Sequence, residues 1–257
     1  MDPVLVALIP VAAASMAWRA RALDPGGAAA AVFMGIVVLA STAWFGALVL
    51  AAFFIPTTLA GRWTSSGAPK LERKEEVRSA RQVWANGAAA MLGSLLEVRE
   101  PGSGVWVLSV SLAAASADTW ATSLGRLSRT PPVRFGTRTR VPPGASGGVT
   151  WWGTAGGAVG ALLVASTLLV TLRDAMLAGL GFAIGWGGMF FDSALGAWAQ
   201  ARFRCPRCAT LVERRWHECG TRTTLESGWG WLDNDRVNLL TTLTAALLAV
   251  AVWELRW

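Results

Sequence analysis

The segment Ser116–Gly153, SADTWATSLGRLSRTPPVRFGTRTRVPPGASGGVTWWG, decides how this chain folds. It leaves an apolar run through one carboxylate, Asp118. It then carries Arg126, Arg129, Arg134, Arg138 and Arg140 with no acid among them, turns at Pro142–Gly148 and enters another apolar run at Trp151. Long apolar blocks separated by cationic loops are the pattern of a polytopic membrane protein, because each block is long enough to fill a bilayer core. The rest of the sequence agrees. Of its 257 residues, 53% are hydrophobic and only 15% charged, against about 25% charged in a soluble domain. There are 15 tryptophans and no tyrosine. Trp18, Trp44, Trp63, Trp84, Trp106, Trp120, Trp151, Trp198 and Trp253 fall near the ends of apolar blocks, where interfacial rings belong. The net charge of +7 follows from cations that orient membrane spans, so no nucleic-acid partner is expected. The chain opens on Asp2 rather than a basic stretch, so the first apolar block is expected to be a retained span and not a signal peptide.

The blocks predict an all-α, single-domain helical bundle over residues 1–257, with eight helices at 3–18, 26–43, 45–61, 82–97, 104–121, 151–172, 175–200 and 237–255. Merging the short second and third helices would give seven. Loop charge favours eight, because eight crossings leave only Arg99, Arg173 and Arg256 of the 23 cations on the minority side. The majority side then holds Arg19 and Arg21 and the loops 62–81, 122–150 and 201–236. Under the positive-inside rule this predicts a multi-pass protein of the cell membrane with three cytoplasmic loops and both termini outside.

Few polar side chains interrupt the helices. Asn86, Asp118, Asp192 and Asn238 all fall toward the cytoplasmic ends, Asp192 about 12 Å inside the boundary and the others shallower. A carboxylate there costs on the order of 3 kcal/mol unless paired or solvated, which marks it as functional or as half of a structural ion pair. Two acids and two amides at one level suggest a shared polar cavity suited to Mg²⁺, a hard cation that takes oxygen ligands and bridges phosphates. The loop above could supply the anion site. Arg126, Arg129, Arg134, Arg138 and Arg140 offer forked donors. The Pro142–Gly148 turn, with Gly144, Ser146, Gly147 and Gly148, can present backbone N–H groups at close range. The competing reading of this loop is an ordinary basic cytoplasmic connection.

The stretch Cys205–Gly220, CPRCATLVERRWHECG, holds every cysteine and the only histidine of the chain. Cys205, Cys208, His217 and Cys219 form a C-x2-C-x8-H-x-C pattern, a closed tetrahedral set for structural Zn²⁺. Free thiols are the alternative. Such a site would fold a small loop insert, 201–236, that has little apolar content of its own.

Taken together, ANG at 85–87, SADTWATSLG at 116–125, VPPGASGGVTWWGT at 141–154, FDSALGA at 191–197 and NDRVN at 234–238 resemble the phytyl-phosphate kinase family of membrane proteins. The likeness runs through nearly the whole chain in order. The Asp118-to-Arg126 spacing and the Pro-Gly-x-Ser-Gly-Gly turn are also similar to dolichol kinases and CDP-diacylglycerol synthases, which use CTP. The resemblance implies an enzyme that moves a phosphoryl group from a nucleoside triphosphate, CTP being one candidate, to a prenyl monophosphate such as phytyl or geranylgeranyl phosphate. On that implication Asp118 and Asp192 serve magnesium, with Asn86 and Asn238 beside them. The turn holds phosphates, and Asn234 and Asp235 join the nucleotide-facing set. The prenyl tail would lie in a groove lined by Gly153, Gly156, Gly157, Gly160, Gly185, Gly187 and Gly188, unless those glycines serve helix packing. The cysteine cluster is absent from the plant pattern. Three alternatives remain: a CTP-dependent nucleotidyltransferase or other phospholipid-type transferase, an anionic-lipid transporter, and a non-catalytic membrane scaffold.

Overall fold

The structure, a computed structural model, describes residues 1–64 and 77–256. Lys70, Arg73 and Lys74, counted among the cytoplasmic cations, lie outside the described residues. The helices are α1 (Pro3–Arg19), α2 (Pro25–Thr64), α3 (Ala80–Ser94, extended by a 3-10 turn over Leu95–Val98), α4 (Ser103–Gly125), α5 (Trp151–Ala165), α6 (Thr167–Thr171), α7 (Ala175–Trp198) and α8 (Asn234–Leu255). Five short strands decorate one end: β1 (Val133–Arg134), β2 (Gly148–Val149), β3 (Arg202–Arg204), β4 (Leu211–Val212) and β5 (Thr224–Ser227).

Seven of these helices, rather than the expected eight, have 15 residues or more among the described residues, because 26–43 and 45–61 are joined in α2. The joint is Ala43, with φ 52° and ψ −136°. A straight helix of that length would run about 60 Å. Instead the Arg62 guanidinium donates to the Ala20 carbonyl, which lies just before α2 begins. A Cβ on Gly46 would meet Val38, eight residues earlier. The two arms, 25–42 and 44–64, therefore run antiparallel, and exposed Trp44 and Phe45 sit at the bend.

Among the described residues, four helices are long and apolar enough by themselves to cross a membrane: α2, the α5–α6 pair, α7 and α8. The central helix α4 is absent from that set although it is 23 residues long. Every residue from Ser103 to Ala117 is buried, including Trp106, Leu108 and Val110. A helix covered on all sides by protein meets no lipid, so it can carry serines that a lipid-facing helix would not. Ser111 Oγ donates to the Thr242 carbonyl (3.1 Å) and Trp106 Nε1 to that of Ala249 (2.7 Å), which fixes α4 against α8. The outer helices expose Leu8, Phe33, Leu162, Val170 and Leu247, side chains that a soluble bundle would bury.

The glycines decide how closely α4 is wrapped. A Cβ on Gly160 would sit 2.7 Å from the Ser116 carbonyl oxygen, one on Gly156 2.9 Å from that of Trp120, and one on Gly153 2.9 Å from that of Ala121. On α7, a Cβ on Gly185 would sit 2.6 Å from the Ala113 Cβ and one on Gly188 2.8 Å from the Ala114 Cβ. Gly157 is likewise closed by Met189. The glycine-lined groove expected for a prenyl tail is therefore filled by helix α4, the small-residue packing that drives membrane helices together. Gly187 alone of the set has open space where a side chain would go.

Candidate functional site

Helix ends place the site. Asp233 caps α8 by accepting from the Arg236 N–H (3.1 Å), so α8 begins at Asn234 and not at 237. Asn238 is then one turn inside the helix, and Asn234 and Asp235 lie on its first turn. At the other end of its own segment, α4 continues to Gly125, past the expected 121. Asp118 thus lies about 10 Å from its helix end and Asp192 about 9 Å from Trp198, so the two acids share one depth rather than differing in it. Asn86 on α3 and Asn238 lie roughly 9 and 6 Å from the same face of the bundle.

The acids also lie near each other. Helices α4 and α7 run parallel through the Gly185–Ala113 and Gly188–Ala114 contacts. Asp118 and Asp192 each stand four residues beyond the second of these contacts, close enough for their charges to interact. Thr241 Oγ1 donates to Asp192 Oδ2 at 3.4 Å. Both acids are only partly buried. Thr242 Oγ1, adjacent to Thr241, donates to the Ala85 carbonyl (3.1 Å) and to the Asn238 carbonyl (3.0 Å). The first of these ties α3 to α8 one residue from Asn86, whose own side-chain amide donates to the Gln82 carbonyl (3.0 Å). Two like-charged, half-buried carboxylates on neighbouring helices call for a shared proton or a cation, and their oxygen donors fit Mg²⁺.

The glycine turn docks directly above. Gly147 adopts φ 75°, and a Cβ there would collide with the backbone of Ala197. Gly196 is likewise pressed against Gly147 and Ser146. The Pro142–Gly148 turn therefore rests on the last turn of α7, about 6 Å along that helix from Asp192. The strand pair β1–β2 positions it, with Arg134 opposite Gly148. The Arg134 guanidinium donates to the Ala197 carbonyl, and its Nε has no partner. Arg202 joins it from β3, donating to the carbonyls of Ser146 (2.8 Å) and Gly196 (3.2 Å). Burial, and then the neighbouring Arg134 charge, pull the Arg202 guanidinium below its ordinary pKa, with Glu213 opposing them.

The other sequence-derived residues divide. Arg126 caps α4 and is exposed. Arg138 and Arg140 are exposed beyond β1, with Arg140 bridged to Val133 through the backbone. Gly144 stands in open space with φ 80°. Asn234 is exposed, and Asp235 is held by Arg81 (3.2 Å), which also pairs with Asp233 (2.8 Å). Asp235 is thus part of a clamp between α3 and α8 rather than of the turn. The sequence reading missed Arg202, Gln200, Glu213 and Thr241. Only the closeness of FDSALGA to the cysteine stretch hinted at the first two.

Strands β3, β4 and β5 form an antiparallel sheet in the order β4-β3-β5, and two tight turns carry the cysteine cluster. Positive φ at Ala209 and Gly220 closes these turns just after Cys208 and Cys219. The ligand atoms of Cys205, Cys208, His217 and Cys219 all lie within 4.8 Å of one another. Tetrahedral sulfur ligands around Zn²⁺ stand about 3.8 Å apart. The separations of 3.6 Å for Cys205 Sγ–Cys219 Sγ and 3.1 Å for His217 Nδ1–Cys219 Sγ fit a single ion. Hydrogen bonds with Thr221 and His217 pull the Cys219 thiol down to about 6, while hydrogen bonding to Cys219 and Cys205 pushes the Cys208 thiol up to about 11.

Comparison with known proteins matches residues 8–246 to a family described as integral membrane protein DUF92. An uncharacterized membrane protein of Methanocaldococcus jannaschii is 28% identical over 246 residues, covering 96% of this chain and 92% of the relative. An uncharacterized membrane protein of Synechocystis sp. is 25% identical over 244 residues, covering 90% and 83%. No solved structure matches.

Proposed function

The chain belongs to the DUF92 family of integral membrane proteins, and from that premise we propose that it is a membrane kinase acting on prenyl monophosphates. It transfers the γ-phosphoryl group of a nucleoside triphosphate, CTP being the first candidate, to phytyl, geranylgeranyl or a similar phosphate, giving the diphosphate. One observation carries this reading: Asp118 and Asp192 lie near each other one helical turn beneath a glycine turn that is seated on α7 with two arginines around it.

Phosphoryl transfer asks a protein for positioning and charge neutralisation rather than for a covalent nucleophile. In this reading Asp118 and Asp192 hold magnesium, which when bound neutralises charge on the phosphates. Arg134 and Arg202 orient phosphate oxygens over the acids. Ser146, with its backbone N–H and hydroxyl, offers donors to the triphosphate at the tip of the turn. An oxygen of the acceptor phosphate forms the new bond to the γ-phosphorus as the bond to the β-phosphate oxygen breaks and the nucleoside diphosphate leaves. The acceptor is already an anion, so no strong base is needed. Asn86 and Asn238 sit at the same end of α3 and α8 as the acids, where they could take part in the site.

With the arms of α2 counted as separate crossings, the topology is eight spans with the acids, the turn and the cysteine cluster at the cytoplasmic face and both termini outside. An introduced cysteine at Ser128 should then resist membrane-impermeant labelling in intact cells, whereas one at Pro101, exposed in the turn before α4, should react. Labelling at Ser128 would reverse the orientation. The reaction itself is tested by a nucleotide-by-lipid panel on purified protein, with α- and γ-labelled nucleotides. Transfer of γ-label to give a prenyl diphosphate is expected. Label arriving from the α-position, with release of pyrophosphate, would make the protein a nucleotidyltransferase instead.

A further inference from the structure

The group that fills the glycine turn is an acid from the cysteine module. Ser146 donates both its backbone N–H (3.3 Å) and its hydroxyl to Glu213 Oε1. Gln200, buried at 3% exposure, donates through Nε2 to Glu213 Oε2 (2.9 Å) and to Ser146 Oγ (2.9 Å). The Arg202 guanidinium is near enough for the Glu213 charge to act on it. Around one exposed carboxylate the fold thus gathers an amide N–H, a hydroxyl, a carboxamide and a guanidinium, with the Nε of Arg134 still unpartnered nearby. Phosphate oxygens are recognised by the same donors.

We propose that Glu213 is a displaceable internal anion, and that the module around Cys205–Cys219 is a lid whose seating competes with substrate phosphate for the Ser146 turn. This rests on the phosphate site proposed above. Glu213 can leave because it is exposed and an open cavity of about 350 Å³, lined also by Val212, Arg214, Trp216, His217 and Glu218, lies beside it. Gln200 and Arg202 stay behind, since they are anchored to the turn and to α7. A phosphate that replaces Glu213 brings more charge to the same donors and also reaches Arg134. Nucleotide binding and unseating of the lid become one event, so the site is covered when empty.

The test is binding of inorganic pyrophosphate, with magnesium, to full-length protein in detergent, measured by calorimetry. Glu213→Gln keeps the size but removes the competing charge, and should bind about tenfold more tightly, a gain of about 1.4 kcal/mol. Arg134→Ala should weaken binding in both backgrounds. If Arg134→Ala weakens binding but Glu213→Gln does not tighten it, the lid is refuted and the phosphate site stands. If neither substitution changes binding, or pyrophosphate does not bind at all, the phosphate site falls and the lid with it. Hydrogen–deuterium exchange on the unaltered protein guards against a Glu213→Gln variant that fails to fold. Pyrophosphate should speed exchange across residues 205–222, and unchanged or slower exchange there would overturn the lid.

Discussion

Asp192→Asn and Asp118→Asn should each lower phosphoryl transfer by roughly two to three orders of magnitude, in line with the share that electrostatic stabilisation supplies to such reactions. The substitution preserves size and most hydrogen bonding, including acceptance from Thr241, but removes the charge that holds a divalent cation. The fold should be unharmed. Two neighbouring carboxylates repel each other, and a neutral isostere at either position relieves that repulsion and is cheaper to desolvate. Unliganded protein carrying either change should therefore melt at or slightly above the temperature of the unaltered protein. The measurement is turnover with an identified lipid phosphate, alongside elution profile and melting. Near-normal activity in both variants would end the magnesium-kinase reading, whatever lipid had been found.

The second large effect concerns the cysteine module. Purified chelator-free protein should carry about one zinc per chain, and the double change Cys205→Ser with Cys208→Ser should carry none. Structural zinc supplies on the order of 10 kcal/mol to small domains that fold around it. The module between β3 and β5 has little apolar core of its own beyond Phe203 and Cys205, so without the ion its two turns should open. Glu213 lies on this module and reaches Ser146, beside Arg202 at its base, so metal loss should also disturb the turn. The expected pattern is rapid proteolysis within residues 205–222 and weakened nucleotide binding, with the helices still melting cooperatively. Absence of zinc from protein prepared without chelators would remove the claim. Rapid cleavage at intact zinc content would instead show that the ion does not hold the module.

Part of this protein was legible in its sequence because it is written locally. A run of apolar residues announces a membrane helix wherever it packs, so the class and most helix positions could be read from hydropathy, and the family match agrees on the class. The gathering of Cys205, Cys208, His217 and Cys219 was also legible, since the four fall within one short stretch and two turns suffice to bring them together. Helix ends were less so. Capping by Asp233 moved the start of α8, whereas the two helices expected at 26–43 and 45–61 do part, at Ala43.

The site itself was a tertiary decision. The sequence showed Asp118 and Asp192 as acids in apolar surroundings, but whether they meet depends on how α4 and α7 are rotated and slid against each other. That register is set by Gly185 and Gly188 seating on Ala113 and Ala114. The same small residues read equally well as a lipid groove until their neighbours were placed. Ser146 and Glu213 are 67 residues apart in the chain, and neither residue type in isolation distinguishes a phosphate donor from a surface contact. Composition and spacing fix what a segment can do along its own axis. Which side chains face one another across the bundle is decided by backbone close approach, and that exists only once the helices have packed.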